Sequence, residues 1–271
     1  MRRHSGLLLA AALALSSPAT GQPAYRLEPL SDGPVAAPLS AAALLSWGVD
    51  GLHVGCALGL APRALNSDVE GLSDGFGGAS AYGVPAVLAP ADGRGGPEAK
   101  RFFLQHDATT PFPIEAGALG YVYAEHFIEH IPRRDAVAFV REARRLLKPG
   151  GVLRLSTPDL AVYADAYRDP SQAFFNEHRR RMTTGPMEGR NAGMRATPAE
   201  LFNTVFYNFG HKHLYDLEEL EFVVAAAAAL DGPGARACRL ERASFQRGAG
   251  PAHLDDELHV DESLYAELVC D

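Results

Sequence analysis

Two histidines and a glutamate lie within five positions of one another, at His126, Glu129 and His130, in the order H-x-x-E-H. Imidazole nitrogens and carboxylate oxygens bind metal ions or transfer protons, and on one helix this spacing is typical of zinc peptidases. A β-favouring run precedes the motif and Pro132 follows it within two residues. We therefore expect no helix long enough to align both histidines, and the sequence predicts no metal site and a locally packed His130.

A glycine-bearing turn is the second feature with chemical potential. The apolar run from Leu52 to Leu60 predicts a strand that ends in a turn containing Gly55 and Gly59. At the carboxyl end of a first strand, small residues let a ligand approach the backbone closely. A further predicted strand begins at Phe102 and ends at a carboxylate, Asp107.

The segment from Tyr121 to Asp159 is expected to hold these residues in place. A short apolar strand comes first, and Asp135 is a plausible N-cap for a helix with apolar residues at helical spacing. Lys148 to Gly151, with a cation, a proline and two glycines, ends that helix before the strand Val152 to Ser156. Strand, helix and strand form a βαβ unit, which predicts a parallel sheet and an α/β fold.

This segment resembles the class I S-adenosylmethionine-dependent methyltransferases of the type 11 group. The resemblance rests on AEHFIEHIP, FVREARRLLKPGGVLRLSTPDL, HDATTPFPIEAGALGYVYAEH, LNSD and LFNTVFYNFGHKHLYD. It implies a Rossmann-like three-layer sandwich whose sheet is mostly parallel, of the seven-stranded type, with an antiparallel C-terminal strand. The sequence departs from the family at Ala57, where a middle glycine is usual, and at Leu119-Gly120, where Phe-Asp is usual.

The resemblance also implies S-adenosylmethionine as the cofactor. In the family the carboxylate at Asp68 would bind the ribose hydroxyls, Asp107 would accept from the adenine amino group, and Glu125 would border the methionine part. The full set of implied cofactor-binding residues is Gly55, Cys56, Ala57, Gly59, Asp68, Asp107, Ala108 and Glu125. His126 and His211 are candidate catalytic acids or bases, although packing at a helix start explains His211 about equally well.

The predicted function is transfer of a methyl group to a small-molecule, sugar or lipid acceptor. An alternative is a non-catalytic cofactor-binding or regulatory protein on the same scaffold, which Ala57, Gly120 and the start of the chain favour. A nicotinamide-dependent oxidoreductase is disfavoured, because the glycine spacing does not fit the dinucleotide fingerprint. The sequence does not indicate an oligomeric state.

Composition narrows the possible partners and compartments. A formal net charge of −8 and the lack of a basic block interleaved with aromatics argue against a nucleic-acid surface. Residues 1–22 are basic and then apolar, which is typical of a signal or transit segment, and the apolar run is too short to span a bilayer. Without such a signal the protein would be cytoplasmic.

The rest of the chain divides into three predicted parts. Residues 23–45 read as a linker, residues 46–271 as the methyltransferase-like domain, and residues 160–213 within it as a helical insert over the acceptor pocket. The three cysteines are odd in number and widely spaced, so neither a disulfide framework nor a zinc site is expected.

Overall fold

The computed structural model describes residues 25–57, 59–72, 79–183, 197–232 and 234–271. The strands are β1 Tyr25–Pro29, β2 Gly51–Val54, β3 Ala64–Asp68, β4 Pro85–Pro90, β5 Arg101–Gln105, β6 Leu119–Glu125, β7 Leu147–Pro158, β8 Cys238–Arg242 and β9 Ser263–Cys270. The helices are α1 Ala41–Ser46, α2 Arg133–Leu146, α3 Leu160–Arg168, α4 Ala173–Thr183, α5 Pro198–Tyr207 and α6 Leu217–Asp231.

All nine strands form one sheet in the order β1-β4-β5-β3-β2-β6-β7-β9-β8. The central pairs from β5 through β3, β2 and β6 to β7 are parallel, and β9 runs antiparallel to both β7 and β8. The predicted α/β fold class, Rossmann-like with a mostly parallel core and antiparallel C-terminal closure, is confirmed. The described sheet has nine strands where the seven-stranded type was expected, because β1 and β4 add an antiparallel edge beside β5. Parallel strands bring their carboxyl ends to one edge, where open α/β sheets bind ligands.

The two faces of the sheet are covered differently. Leu52, Val122 and Leu153 face a core shared with α1, α2 and α6, and α2 contributes its buried stripe through residues such as Phe139 and Val140. The opposite face carries polar side chains, among them Asn66 and Arg154, that hydrogen-bond to loop backbones. In the described part of the chain this second face is therefore closed by loops.

The predicted βαβ unit is present, with shifted boundaries. Helix α2 begins at Arg133 with Pro132 at the N-cap, so Asp135 lies in the first helical turn instead of capping it. Its carboxylate there still interacts favourably with the positive N-terminal end of the helix dipole. Helix α2 ends at Leu146, as the Lys148–Gly151 signal indicates, but β7 runs from Leu147 to Pro158 and so includes that signal and extends beyond the predicted strand Val152–Ser156.

Three helices follow β7 in the interval predicted to be an insert. Helices α3, α4 and α5 share a separate apolar cluster centred on Tyr163, Phe175 and Leu201. No helix in the described residues is long and apolar enough to cross a membrane.

The interval predicted as a linker, residues 23–45, instead contributes sheet and helix. Strand β1 pairs with β4 at the sheet edge, and Ser40 caps α1 by accepting from Ala43 N. Strand β4 was also unexpected, because its Pro/Ala-rich sequence lies within a stretch dense in loop-forming residues. The predicted leader, residues 1–22, lies outside the described residues.

The expectation that the cysteines form no disulfide is wrong. Cys238 and Cys270 are bonded between the paired strands β8 and β9, while Cys56 is free and buried. Their 32-residue separation gave no signal, since only the antiparallel register places them opposite each other. Disulfides of this kind persist in oxidising compartments.

Acidification is expected to destabilise the fold through His53. Burial lowers the pKa of His53 to about 4, whereas in the unfolded chain it binds a proton near its ordinary pKa of 6.5. The buried, neutral His53 ring therefore makes its full contribution to the free energy of unfolding above pH 6.5. This contribution, about 3 kcal/mol in total, is lost as the pH falls towards 4.

Urea unfolding at pH 7.0 and pH 4.5 measures this loss. The control is His53→Gln, which keeps a group able to hydrogen-bond the Asn66 side chain, as His53 does at 3.1 Å. This variant should lose less stability on acidification than the wild type. Equal losses in both proteins would contradict the assignment.

Candidate functional site

The turn after β2 has the tight geometry that the glycine pattern predicts. Gly55 lies at φ +67°, and a side chain there would press on Phe127, since a Cβ at Gly55 would lie 2.9 Å from the Phe127 ring. The amides of Gly55 and Cys56 both donate to the Ser67 carbonyl, and Gly59 N donates to Cys56 O. These bonds hold the turn against the end of β3.

Ala57 also adopts a left-handed conformation, with φ 45°. Left-handed backbone is costly for a residue with a side chain, so neighbouring contacts must maintain it. Asp68 does so, because its Oδ2 accepts from Ala57 N at 2.8 Å while its Oδ1 accepts from Glu70 N at 3.0 Å. The predicted ribose-binding carboxylate therefore shapes the very turn in which a cofactor would lie.

The loop after β5 places the second predicted carboxylate beside this turn. His106 N donates to Asp68 O, which joins the ends of β3 and β5. Asp107 Oδ1 accepts from the amide and the hydroxyl of Thr109 at 2.9 and 2.7 Å. Ala108 is buried. The cofactor-side residues from β2, β3 and β5 thus form one continuous edge.

Glu125 ends β6, the strand next to β2 on its other side. Its Oε1 accepts from Asp256 N at 2.9 Å, and burial raises the pKa of Glu125. The half-buried Glu125 carboxylate therefore lies at the end of β6 that the resemblance predicts to border the methionine part of the cofactor.

His126 follows immediately and also has a positive φ, of 45°. Its Nε2 lies 2.7 Å from Ser263 Oγ and its Nδ1 lies 3.2 Å from Glu129 Oε1. Burial by itself would lower the pKa of His126, but the charge and hydrogen bond of Glu129, together with the charges of Glu262 and Glu125, raise that pKa to about 9. The ring is therefore protonated at neutral pH and acts there as a donor.

His211, the other predicted catalytic residue, belongs to the segment before α6. Its Nδ1 lies 2.5 Å from Val205 O, and Lys212 N donates to Glu129 O at 2.7 Å. The segment is thus bonded to the backbone at Glu129, and the His211 ring meets the His130 ring edge-on at 4.7 Å. The His126 side chain therefore contacts the Glu129 carboxylate, whereas the segment that carries His211 contacts the Glu129 backbone.

Several residues in this region were not predicted. The His259 ring stacks on His126 at 3.9 Å and its Nδ1 lies 2.7 Å from Glu262 Oε1. Glu262 Oε2 accepts from the Tyr163 hydroxyl. The sequence signal for these residues was a repeated H-x-x-E spacing, at His126–Glu129 and His259–Glu262. Both pairs are ion pairs in the structure.

Comparisons with known proteins agree with this arrangement. Residues 52–155, from β2 into β7, match the family model of the type 11 methyltransferase domain. No curated protein matches the chain.

Many solved structures are similar, at low identity. One is an S-adenosylmethionine-dependent methyltransferase from Thermotoga maritima, described as a possible histamine N-methyltransferase, at 12% identity, 86% and 90% coverage of the two chains and a TM-score of 0.40. Another is an S-adenosylmethionine-dependent methyltransferase from Mesorhizobium loti, at 13% identity, 84% and 96% coverage of the two chains and a TM-score of 0.42. The family match is what identifies this part of the chain: residues 52–155 form a methyltransferase domain, which supports S-adenosylmethionine as the cofactor.

Proposed function

We propose that the protein methylates an oxygen or nitrogen atom of a small-molecule, sugar or lipid acceptor bound beside the histidines that follow β6. The observation that carries this proposal is the convergence of three segments, at Glu125–His130, His211 and His259–Glu262, next to the end of the strand that borders the glycine turn. The residues that match the family model, 52–155, include those predicted to bind the cofactor.

The residues present suit S-adenosylmethionine. Two carboxylates are hydrogen-bond acceptors here, Asp68 at the end of β3 and Asp107 two residues after the neighbouring strand β5, and the Gly55 turn offers close backbone approach. Glu125 supplies a negative group on the side of β6. When bound, the cofactor supplies an electrophilic methyl on a sulfonium, so the protein's task is to orient the acceptor and exclude water.

The acceptor side is built from residues with defined roles. Glu129 is completely buried and fixed by Thr157 Oγ1 at 3.1 Å, and it holds the segment that carries His211 in register. With Nδ1 committed to the Val205 carbonyl, the His211 ring presents the lone pair of Nε2. Helices α3, α4 and α5 lie in the sequence between β7 and this segment. We therefore expect them to shield the acceptor.

Production of S-adenosylhomocysteine with panels of sugars, lipids and small amines or alcohols tests the proposal. We expect product only when one acceptor class is present. Glu125→Gln should lower kcat/KM at least tenfold, about 1.4 kcal/mol, because it removes the carboxylate that ends β6 beside the strand of the glycine turn.

Glu28→Gln, on the exposed edge strand β1, is the control and should leave the rate unchanged. Cofactor binding without turnover on any acceptor class would contradict the proposal and favour the non-catalytic alternative.

A further inference from the structure

Among the residues that the structure describes, two groups of potential metal ligands meet in this region. One consists of His126, His259 and Glu262, and the other of Glu129, His130 and His211. In each, the donor atoms lie within 4.8 Å of one another. The His126–Glu129 ion pair joins the two groups, but the groups differ in whether they have lone pairs free to bind a cation.

The first group is closed by its own hydrogen bonds. His126 uses Nε2 towards Ser263 and Nδ1 towards Glu129. Both oxygens of Glu262 are taken, Oε1 by His259 Nδ1 and Oε2 by the Tyr163 hydroxyl. A cation here would have to displace several of these bonds, so the group is complete as a proton-sharing network.

The second group is open. Glu129 is 0% exposed, and apart from the ion pair with His126 Nδ1 at 3.2 Å its Oε1 has no hydrogen-bond partner. His130 Nδ1 is also buried without a partner, while the backbone of Phe209 hydrogen-bonds the same ring. Buried polar atoms in native proteins are normally paired, so two such atoms in one group indicate a missing ligand.

The tautomer of His211 supplies the third donor. Its Nδ1 lies 2.5 Å from Val205 O, which leaves Nε2 as the unprotonated nitrogen. Metal-bound histidines characteristically donate their other N–H to a backbone carbonyl in this way, and ligating carboxylates are held by further hydrogen bonds. Thr157 Oγ1 gives Glu129 such a bond through Oε2 at 3.1 Å.

We propose that Glu129, His130 and His211 bind one divalent transition-metal ion through a carboxylate oxygen, Nδ1 and Nε2 respectively. Two histidines and one carboxylate are a ligand set suited to Zn²⁺, Mn²⁺, Fe²⁺ or Co²⁺, and three protein ligands leave positions open. Ligands about 2.1 Å from one ion lie at most about 4.2 Å apart, so the group needs only a small closure of its side chains.

The backbone around the group is consistent with such a role. Phe209, two residues before His211, has φ 60° and interrupts the short helical turn at 208–210. A left-handed non-glycine residue costs energy that the surrounding contacts must offset, and such residues concentrate at ligand sites. Here the conformation brings the Phe209 backbone to His130 and the His211 segment onto Glu129.

An ion at this place would also serve the acceptor. Its open positions would bind an acceptor hydroxyl and lower the pKa of that group, as metals do for bound water. This use rests on the proposed function, whereas binding of the ion itself does not.

Titration of the full chain with Co²⁺ and Zn²⁺ after chelator dialysis tests the site. We expect one equivalent to bind, with visible absorption of Co²⁺ that Zn²⁺ abolishes. His211→Ala and His130→Ala should each weaken binding at least tenfold. His213→Ala is the matched control, because His213 lies two residues away but pairs with Glu219 at 2.9 Å and should leave binding unchanged.

Absence of binding by the folded chain would overturn the proposal, as would binding that His211→Ala leaves intact. Loss on His259→Ala alone would likewise overturn it by assigning the ion to the closed group. Circular dichroism confirms folding of each variant. Titration of the same samples with S-adenosylhomocysteine separates failure of the metal site from failure of the methyltransferase function.

Discussion

Replacing Arg154 with methionine is expected to lower the free energy of unfolding by about 3–5 kcal/mol. Arg154 is 0% exposed in the middle of β7. Its guanidinium donates to both oxygens of Asp255, to Glu267 Oε1 at 2.7 Å and to the Ser244 carbonyl at 2.9 Å. Methionine fills a similar volume but leaves two buried carboxylates without their cation, which is the costly way to break a buried ion pair.

Equilibrium urea unfolding measures the effect. Arg239→Met on β8 is the matched control, because its pair with Glu241 is exposed and such pairs contribute at most about 1 kcal/mol. The same loop, residues 244–256, also supplies the amide that binds Glu125, so Arg154→Met should reduce cofactor affinity as well. A loss of less than about 1 kcal/mol would show that the network does not hold the loop on the sheet.

Replacing Asp68 with alanine is expected to weaken S-adenosylhomocysteine binding at least tenfold, about 1.4 kcal/mol. The carboxylate has two tasks, since it offers acceptor oxygens at the end of β3 and holds Ala57 in its left-handed conformation. Removing it therefore costs both a ligand contact and the preorganisation of the turn. Calorimetric titration of both proteins measures the change in Kd.

Asp92→Ala provides the control for the loss of a loop carboxylate. Asp92 accepts from Arg94 N at 2.9 Å, two residues on, as Asp68 accepts from Glu70 N, but it lies in the exposed turn after β4. The Asp92→Ala protein should bind S-adenosylhomocysteine with the same affinity as the wild type. Equal affinity of the Asp68→Ala protein would contradict the placement of the cofactor at this turn.

The sequence predicted those parts of the fold in which local pattern and tertiary structure agree. The unit β6-α2-β7 was predictable because helical spacing, a Lys-Pro-Gly-Gly stop and apolar strands all indicate the same elements. Strands β1 and β4 were not, because charged residues, alanine and proline surround their few strand-favouring residues and their antiparallel pairing with each other fixes their conformation.

The candidate site shows the same division. Gly55, Asp68 and Asp107 lie at or within two residues of a strand end, so a strand-end rule finds them. The approach of Ser263 to His126 joins residues 137 positions apart, and Arg154 pairs with Asp255 across 101. No local pattern encodes such pairings. At H-x-x-E-H, where the sequence argued against a long helix, the structure has a left-handed His126 and one short turn at Ile128–His130.

Calorimetric titration of the full chain with S-adenosylhomocysteine, beside NADH, tests most directly whether this strand edge binds the methyl-donor cofactor. We predict one site with micromolar affinity for S-adenosylhomocysteine and no measurable heat with NADH, since the glycine turn is closed by Asp68 and lacks the dinucleotide spacing. A folded chain that binds NADH, or that binds neither ligand, would contradict the assignment of this strand edge as an S-adenosylmethionine site.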